Sequence, residues 1–273
     1  MNWRAIRAIV RKDLKVVAQS KGVMIPLMVV PLVFLLLLPG GTALLLSNDD
    51  LAAEGFNELE AFLVNLPAGI QTELDQYESE TQQLIHLVII YQFAPLFLIL
   101  PLMVSSVIGA DSFAGEKERK TLEALIYTPT TNGELYLGKM LSAWLPAIAV
   151  ALGGFVIYGV VVNATAWPVM GRAFFPNLMW IVLVIWVAPA AAGLGLAAMV
   201  LVSSRVRGFQ EAYQLGSMVV IPIVLLMLGQ VGGVLYFNIE LVLILGLLLW
   251  GVDIGLLWYG ARSFQRSELI AQL

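Results

Sequence analysis

Six stretches of this chain are apolar over the length a helix needs to cross a lipid bilayer. They run roughly over 23–46, 84–109, 140–162, 178–202, 215–237 and 239–260. Crossing the hydrocarbon layer takes ~20 residues at ~1.5 Å each. Helices also bond their backbone groups internally, as lipid requires. A membrane β-barrel would show alternating segments of ~10 residues instead, and the chain has none. The composition agrees, with 60% hydrophobic and 12% charged residues, against ~45–50% and ~25% in soluble domains. The sequence thus predicts an all-α membrane protein with six transmembrane helices. The first span is too long for a signal peptide, and "LLPGGTALLLS" lacks the small-x-small cleavage pattern.

The cations set the orientation. Arg4, Arg7, Arg11, Lys12, Lys15 and Lys21 precede span one; Lys117, Arg119, Lys120 and Lys139 fall between spans two and three. Arg205 and Arg207 lie between spans four and five, and Arg262 and Arg266 in the tail; Arg172 alone falls on the opposite side. Fourteen of the 15 cations therefore share one face if the spans alternate. The positive-inside rule makes that face cytoplasmic, with both termini inside. The basic residues belong to membrane borders, so no nucleic-acid partner is expected.

The polar segments have their own periodicity. In "NWRAIRAIVRKDLKVVAQSK", Trp3, Ile6, Val10, Leu14 and Val17 form one helical stripe, and Arg4, Arg7, Arg11 and Lys15 another. Residues 1–22 thus read as a cytoplasmic amphipathic helix lying in the headgroup layer, ahead of a single transmembrane domain over 23–273. The outer loop, 48–83, holds nine acidic residues and no basic ones. It reads as a helical hairpin broken at Pro67-Ala68-Gly69. Its charges serve as a solvated face or as a cation-gathering surface.

The inner loop, 110–138, reads "ADSFAGEKERKTLEALIYTPTTNGELYLG". Asp111 or Ser112 is placed to cap a new helix. Glu116, Glu118, Lys120 and Glu123 turn it to water, while Phe113, Leu122, Leu125 and Ile126 give it an apolar ridge. Thr128-Pro129 stops it. Thr131 and Glu134 then form a capping box that starts span three. Periodicity alone leaves two uses for the ridge: packing on its own bundle, or contact with a partner.

Gly133, Gly138 and Lys139 imitate the start of a phosphate-binding loop. Such a loop follows a buried strand and carries Ser or Thr after the lysine, to hold Mg²⁺. Here a turn precedes it, Met140 replaces the hydroxyl, and a membrane span follows. No nucleotide site is expected in the chain. Lys139 reads as an interface anchor whose ammonium snorkels to water. The chain has no cysteine and one histidine, His86, which excludes disulfides, thiolate sites and multi-histidine metal sites. Little catalytic chemistry is left, and no metal is expected.

The run "FAGEKERKTLEALIYTPTTNGELYLGK" resembles the cytoplasmic loop of type-2 ABC transporter permeases, through Gly115, Glu116, Glu118, Thr121, Leu122, Glu123, Leu125, Thr128, Pro129, Glu134, Leu135, Gly138 and Lys139. The rest of the chain resembles that family in layout only. The resemblance implies an exporter permease that pairs with a second permease subunit, as homodimer or heterodimer, in the inner membrane of a prokaryote. Two ABC ATPase subunits, holding ATP and Mg²⁺, would dock beneath. The coupling helix would offer them Gly115, Glu116, Glu118, Arg119, Lys120, Thr121, Leu122, Glu123, Leu125 and Pro129. The N-terminal helix, with Trp3, Arg4, Arg7, Arg11 and Lys15, would be the elbow helix. In the family, spans one and five tend to form the subunit seam, which points to Gly229 and Gly233. The link between spans five and six, near "YFNI", is shorter than in relatives with re-entrant helices there.

Few polar residues lie within the spans, and such residues are suspects for function. Asp253 is about two turns from the inner end of span six, facing water or an elbow cation, and Gln92 lies on the outer half of span two. Both are candidate pathway residues. Met24, Met28, Phe34, Phe93 and Phe97 give an apolar route that suits amphiphilic or lipid-like cargo. The alternative class is a secondary transporter or channel, which would want inverted repeats and intramembrane charges.

Overall fold

The computed structural model describes residues 2–48, 66–119, 130–203, 205–206 and 208–263, with side chains to 260. These residues form helices and no strand. The helices are α1 (Trp3–Gln19), α2 (Lys21–Leu46), α3 (Ala68–Leu74), α4 (Glu80–Glu118), α5 (Asn132–Met170), α6 (Leu178–Ser203), α7 (Phe209–Val231) and α8 (Ile239–Ser263). Six of them, α2 and α4–α8, are long and apolar enough to cross a membrane.

Their packing follows from which sides are small or aromatic. α4 and α6 are buried over most of their apolar length, whereas α2, α7 and α8 are buried over less than a fifth. α4 and α6 therefore form the core, and α5 runs beside them. Gly195 of α6 lies against the Leu102 carbonyl and the hydroxyls of Ser105 and Ser106, so the two central helices meet backbone to backbone. In α4, wide π turns over Leu87–Gln92 present carbonyls sideways. The Tyr158 hydroxyl donates to the Ile89 carbonyl (2.6 Å) and the Trp180 indole N–H to that of Ile90 (2.7 Å). Those two rings stack at 4.8 Å, and Phe97 and Phe175 pack on Trp180. Phe93 and Phe97 thus belong to the core, not to an open route, while Met28 is exposed.

Three spans differ most in their bounds from the sequence reading. α4 and α5 each have 39 residues, roughly 58 Å at 1.5 Å per residue, about twice the hydrocarbon thickness. α4 does not stop near residue 109: Asp111–Gly115 continues it as a π segment, so Asp111 and Ser112 are helix-interior residues and not caps. Span five starts and ends six residues earlier than expected. It closes at Val231, where Gly233 adopts φ 69° and the Val234 N–H reaches back to the Gly229 carbonyl at 2.8 Å. That left-handed position favours glycine, so "GQVGG" terminates the helix and does not kink it. Gly229 faces Leu235 of the same chain, at 2.9 Å from where a Cβ would stand. Gly171, at φ 60°, ends α5 in the same way.

Candidate functional site

The ends of α4, α6 and α8 and the starts of α2, α5 and α7 meet at one basic end of the bundle, under α1. The expected capping box is present: the Glu134 N–H bonds the Thr131 hydroxyl (3.2 Å) and the Glu134 carboxylate accepts from the Thr131 N–H (3.0 Å). Its other oxygen accepts from the Asn2 N–H at 2.6 Å, while the Asn2 side chain caps α1. One turn on, a Cβ at Gly138 would lie 2.9 Å from Ile9, and Leu135 clusters with Ile9. The stretch that imitated a phosphate loop is therefore the socket for α1. Glu134 holds its first turn, and Gly138 lets it come close.

The next residue of that face is Lys139. It is 0% exposed and does not snorkel, which corrects the sequence reading. Its ammonium donates to the Ser112 carbonyl and the Glu116 carboxylate, lies 3.8 Å from Asp13, and sits 5.4 Å from the centre of the Phe113 ring. Lys12 reaches the other Glu116 oxygen and Asp13, and the Ser142 hydroxyl donates to Asp13 at 3.2 Å. Two cations and two carboxylates thus balance at the junction of α1, α4 and α5. Buried ions are tolerated only when paired and hydrogen-bonded in this way. Burial works against the Lys12 charge, but Glu116, then Asp13, outweigh it and hold the ammonium above the ordinary lysine range.

α4 ends in a second set of ties. Arg119 clasps Asp111 through Nη1–Oδ1 (2.9 Å) and Nη2–Oδ2 (3.3 Å), two turns back along the helix. Gly115 lies beneath the clasp: a Cβ there would stand 2.9 Å from Asp111 Oδ1 and 3.2 Å from Arg119. Lys117 donates to the Val206 carbonyl (3.3 Å), and the Glu118 carboxylate accepts from the Phe209 N–H (2.9 Å). Glu118 so caps α7 from outside, where Gly208 has no side chain to do it. Glu118 also lines an open groove with Gly208, Gln210, Glu211 and Gln214.

The candidate coupling residues thus separate. Gly115 and Glu116 face the chain's own interior, Glu118 and Arg119 are exposed, and Lys120, Thr121, Leu122, Glu123, Leu125 and Pro129 lie outside the described residues. On α1, Ile6, Ile9, Asp13 and Val17 are buried, while Trp3, Arg4, Arg7, Arg11, Leu14 and Lys15 are exposed. Asp253 is buried with no hydrogen-bond partner, so it neither faces water nor pairs with an elbow cation; Gln92 is also buried without a partner. The sequence reading missed Asp13, Ser142 and Lys139 as internal partners. An acidic residue on the apolar side of α1 was the available signal.

At the opposite end, α3 is tied to α4. His86 Nε2 lies 3.2 Å from Glu73 and Nδ1 lies 2.8 Å from the Tyr77 hydroxyl; Tyr91 donates to Glu73 at 2.6 Å. The hydrogen bond from His86 pulls the Glu73 carboxyl below its usual range; burial opposes this and Tyr91 adds to it. Arg172 lies over the Tyr77 ring at 4.8 Å.

Six apolar helices, two of them carried beyond the bilayer and clamped to an N-terminal helix, define a multi-pass membrane protein with a braced foot. The family model described as ABC-2 family transporter protein matches residues 7–257, and the chain belongs to that family. It is therefore a transporter permease subunit, and the family implies association with an ABC ATPase in a membrane complex. No curated protein matches the chain.

Proposed function

We propose that the chain is the permease of an ATP-driven exporter in a prokaryotic inner membrane, with its basic end and both termini in the cytoplasm. Two permease subunits, alike or related, pair along the exposed apolar sides of α2 and α7, and two ATPase subunits dock beneath. ATP and Mg²⁺ belong to those partners; this chain carries no nucleotide site. The segment from Lys120 to Pro129, which lies outside the described residues, takes the coupling role toward the ATPase together with Gly115–Arg119 before it, and the exposed basic and aromatic side of α1 rests in the headgroup layer. One observation carries the reading: the residues just before that segment brace α1, α5 and α7 at once, through Glu116, Lys117 and Glu118. A push on that segment is so passed to three helices together. The cargo is amphiphilic or lipid-like, a class that the exposed apolar side chains of α2 beyond Lys21 would suit.

The test uses the permease with its ATPase in lipid. Glu118→Ala and Leu125→Asp should each lower transport-coupled ATP hydrolysis while the folded chain is retained. Unchanged coupling in both removes the assigned role. Transport by the purified chain without any ATPase would instead favour a secondary transporter or channel. ATPase stimulation by small hydrophilic solutes alone would overturn the cargo class.

A further inference from the structure

α8 packs chiefly against α6. Its inward stripe is well marked: Gly246 abuts Trp186, Trp250 donates to the Trp186 carbonyl (3.1 Å), and Gly260 abuts Val200 and Tyr136. Asp253 lies in the middle of this stripe, 0% exposed, with its carboxyl against Gly193 of α6. Neither oxygen has a hydrogen-bond partner, and no ion pair among the described residues includes it. Among the described residues the surroundings offer no counter-charge. α6 carries no titratable side chain from Leu178 to Ser203. Glu240 and Tyr259 of α8 are exposed, and the hydroxyl of Tyr136 from α5 donates to the Leu257 carbonyl at 3.2 Å. Arg262 is about two and a half turns further along α8.

A lone buried carboxylate with neither donor nor cation is the costliest state this group can take, and such groups neutralise instead. A metal ion is poorly served, because the described residues contain no group of three ligands. A proton needs no other ligand. We propose that Asp253 is a proton-binding site inside the membrane, carried as the neutral acid at the α6–α8 seam, and that giving up its proton loosens that seam. The step is a simple ionisation: the O–H bond breaks, the electron pair stays on the carboxylate, and the proton passes to water. Water is nearest beyond the basic end of α8, ~10–15 Å along the helix. The inference is independent of ATPase coupling and of cargo.

Infrared difference spectroscopy of the full chain in lipid nanodiscs tests it, wild type minus Asp253→Asn at neutral pH. The expected result is a carbonyl stretch of a protonated carboxylic acid, shifted in D₂O and lost in the variant. If the variant instead removes the two carboxylate bands, the group is ionised and the proposal fails. Should the asparagine variant not fold, Asp253→Ser serves for the same subtraction. Thermal unfolding from neutral to alkaline pH reads the second half. Wild type should lose stability as the acid band disappears, and Asp253→Asn should not. Parallel curves would show that the proton does not control the seam.

Discussion

Lys139 shows how one residue joins three helices. Its ammonium is fully enclosed, with Glu116 of α4 and Asp13 of α1 as its charge partners. Removing one member of a buried set leaves an uncompensated ion, at a cost of ~3–5 kcal/mol. Lys139→Met should therefore lower the thermal stability of the purified chain by about that much. Glu116→Leu combined with Lys139→Met should lose much less, because Lys12 and Asp13 still pair at 3.2 Å. Equal losses in the single and double variants would show that the four charges do not act as a unit. Gly138 makes a steric counterpart to this. A methyl group there meets Ile9 at 2.9 Å, a separation real Cβ atoms do not show. Gly138→Ala should loosen α1, raising its hydrogen exchange several-fold, and Ile9→Ala should recover part of the protection in the double variant, since it removes the 2.9 Å contact and leaves the Ile9 Cβ position at 3.0 Å. Additive losses would place the glycine's role elsewhere.

Elements were legible in the sequence where their cause is local. The capping box at Thr131 and Glu134 involves residues three apart, and it forms as read. The chain of six apolar helices follows from run length alone. Lys139 was misread because its partners are far away in sequence, at Asp13 and Glu116. A lysine at the edge of an apolar run reads as a snorkelling anchor unless those partners are known. The α1 stripe was half right: Ile6 and Val17 are buried, but Trp3 and Leu14 are exposed. Periodicity marks an apolar stripe and cannot divide it between protein and lipid. Asp13 was missed because a charge is discounted as a core residue until its counter-charge is seen. The end of span two is illegible in the sequence because polar residues after 109 suggest water, whereas Asp111, Ser112 and Glu116 are buried, Asp111 against Arg119 and Glu116 against Lys12 and Lys139. α3 shows an element whose hold depends on pH. Glu73 is held below the usual carboxyl range by His86, so its ties to His86 and Tyr91 favour the ionised form. A depressed carboxyl contributes its stability above the unfolded value and loses it as acid protonates the folded form. Residues 66–78 should therefore gain hydrogen exchange as pH falls through the acidic range, and Glu73→Gln should be equally unprotected at neutral pH. Protection that does not change with acid in the wild type would remove Glu73 from that role.

At the scale of the molecule, α4 and α5 are the long members, and both reach past the bilayer to the basic end. Their joined feet carry α1 through the charged cluster and α7 through Glu118, while α6 stands between them and α8. The chain so divides into a buried α4–α6 centre and a periphery of α2, α7 and α8 whose apolar faces are covered by lipid or by another subunit. The absence of cysteine makes that choice testable with single introduced thiols. Leu225 of α7 is 61% exposed and Leu247 of α8 is 63% exposed, so neither change disturbs the core. If α2 and α7 form the subunit seam, Leu225→Cys should give an oxidised dimer in native membranes and Leu247→Cys should not. Pairing with a related permease would leave Leu225→Cys uncrosslinked alone, yet joined to that partner by a thiol at the matching α7 position. Crosslinking through Leu247→Cys alone would move the seam to α8. It would also bring the second subunit onto the helix that carries Asp253, whose carboxyl lies inward against Gly193 of α6 without a hydrogen-bond partner among the described residues.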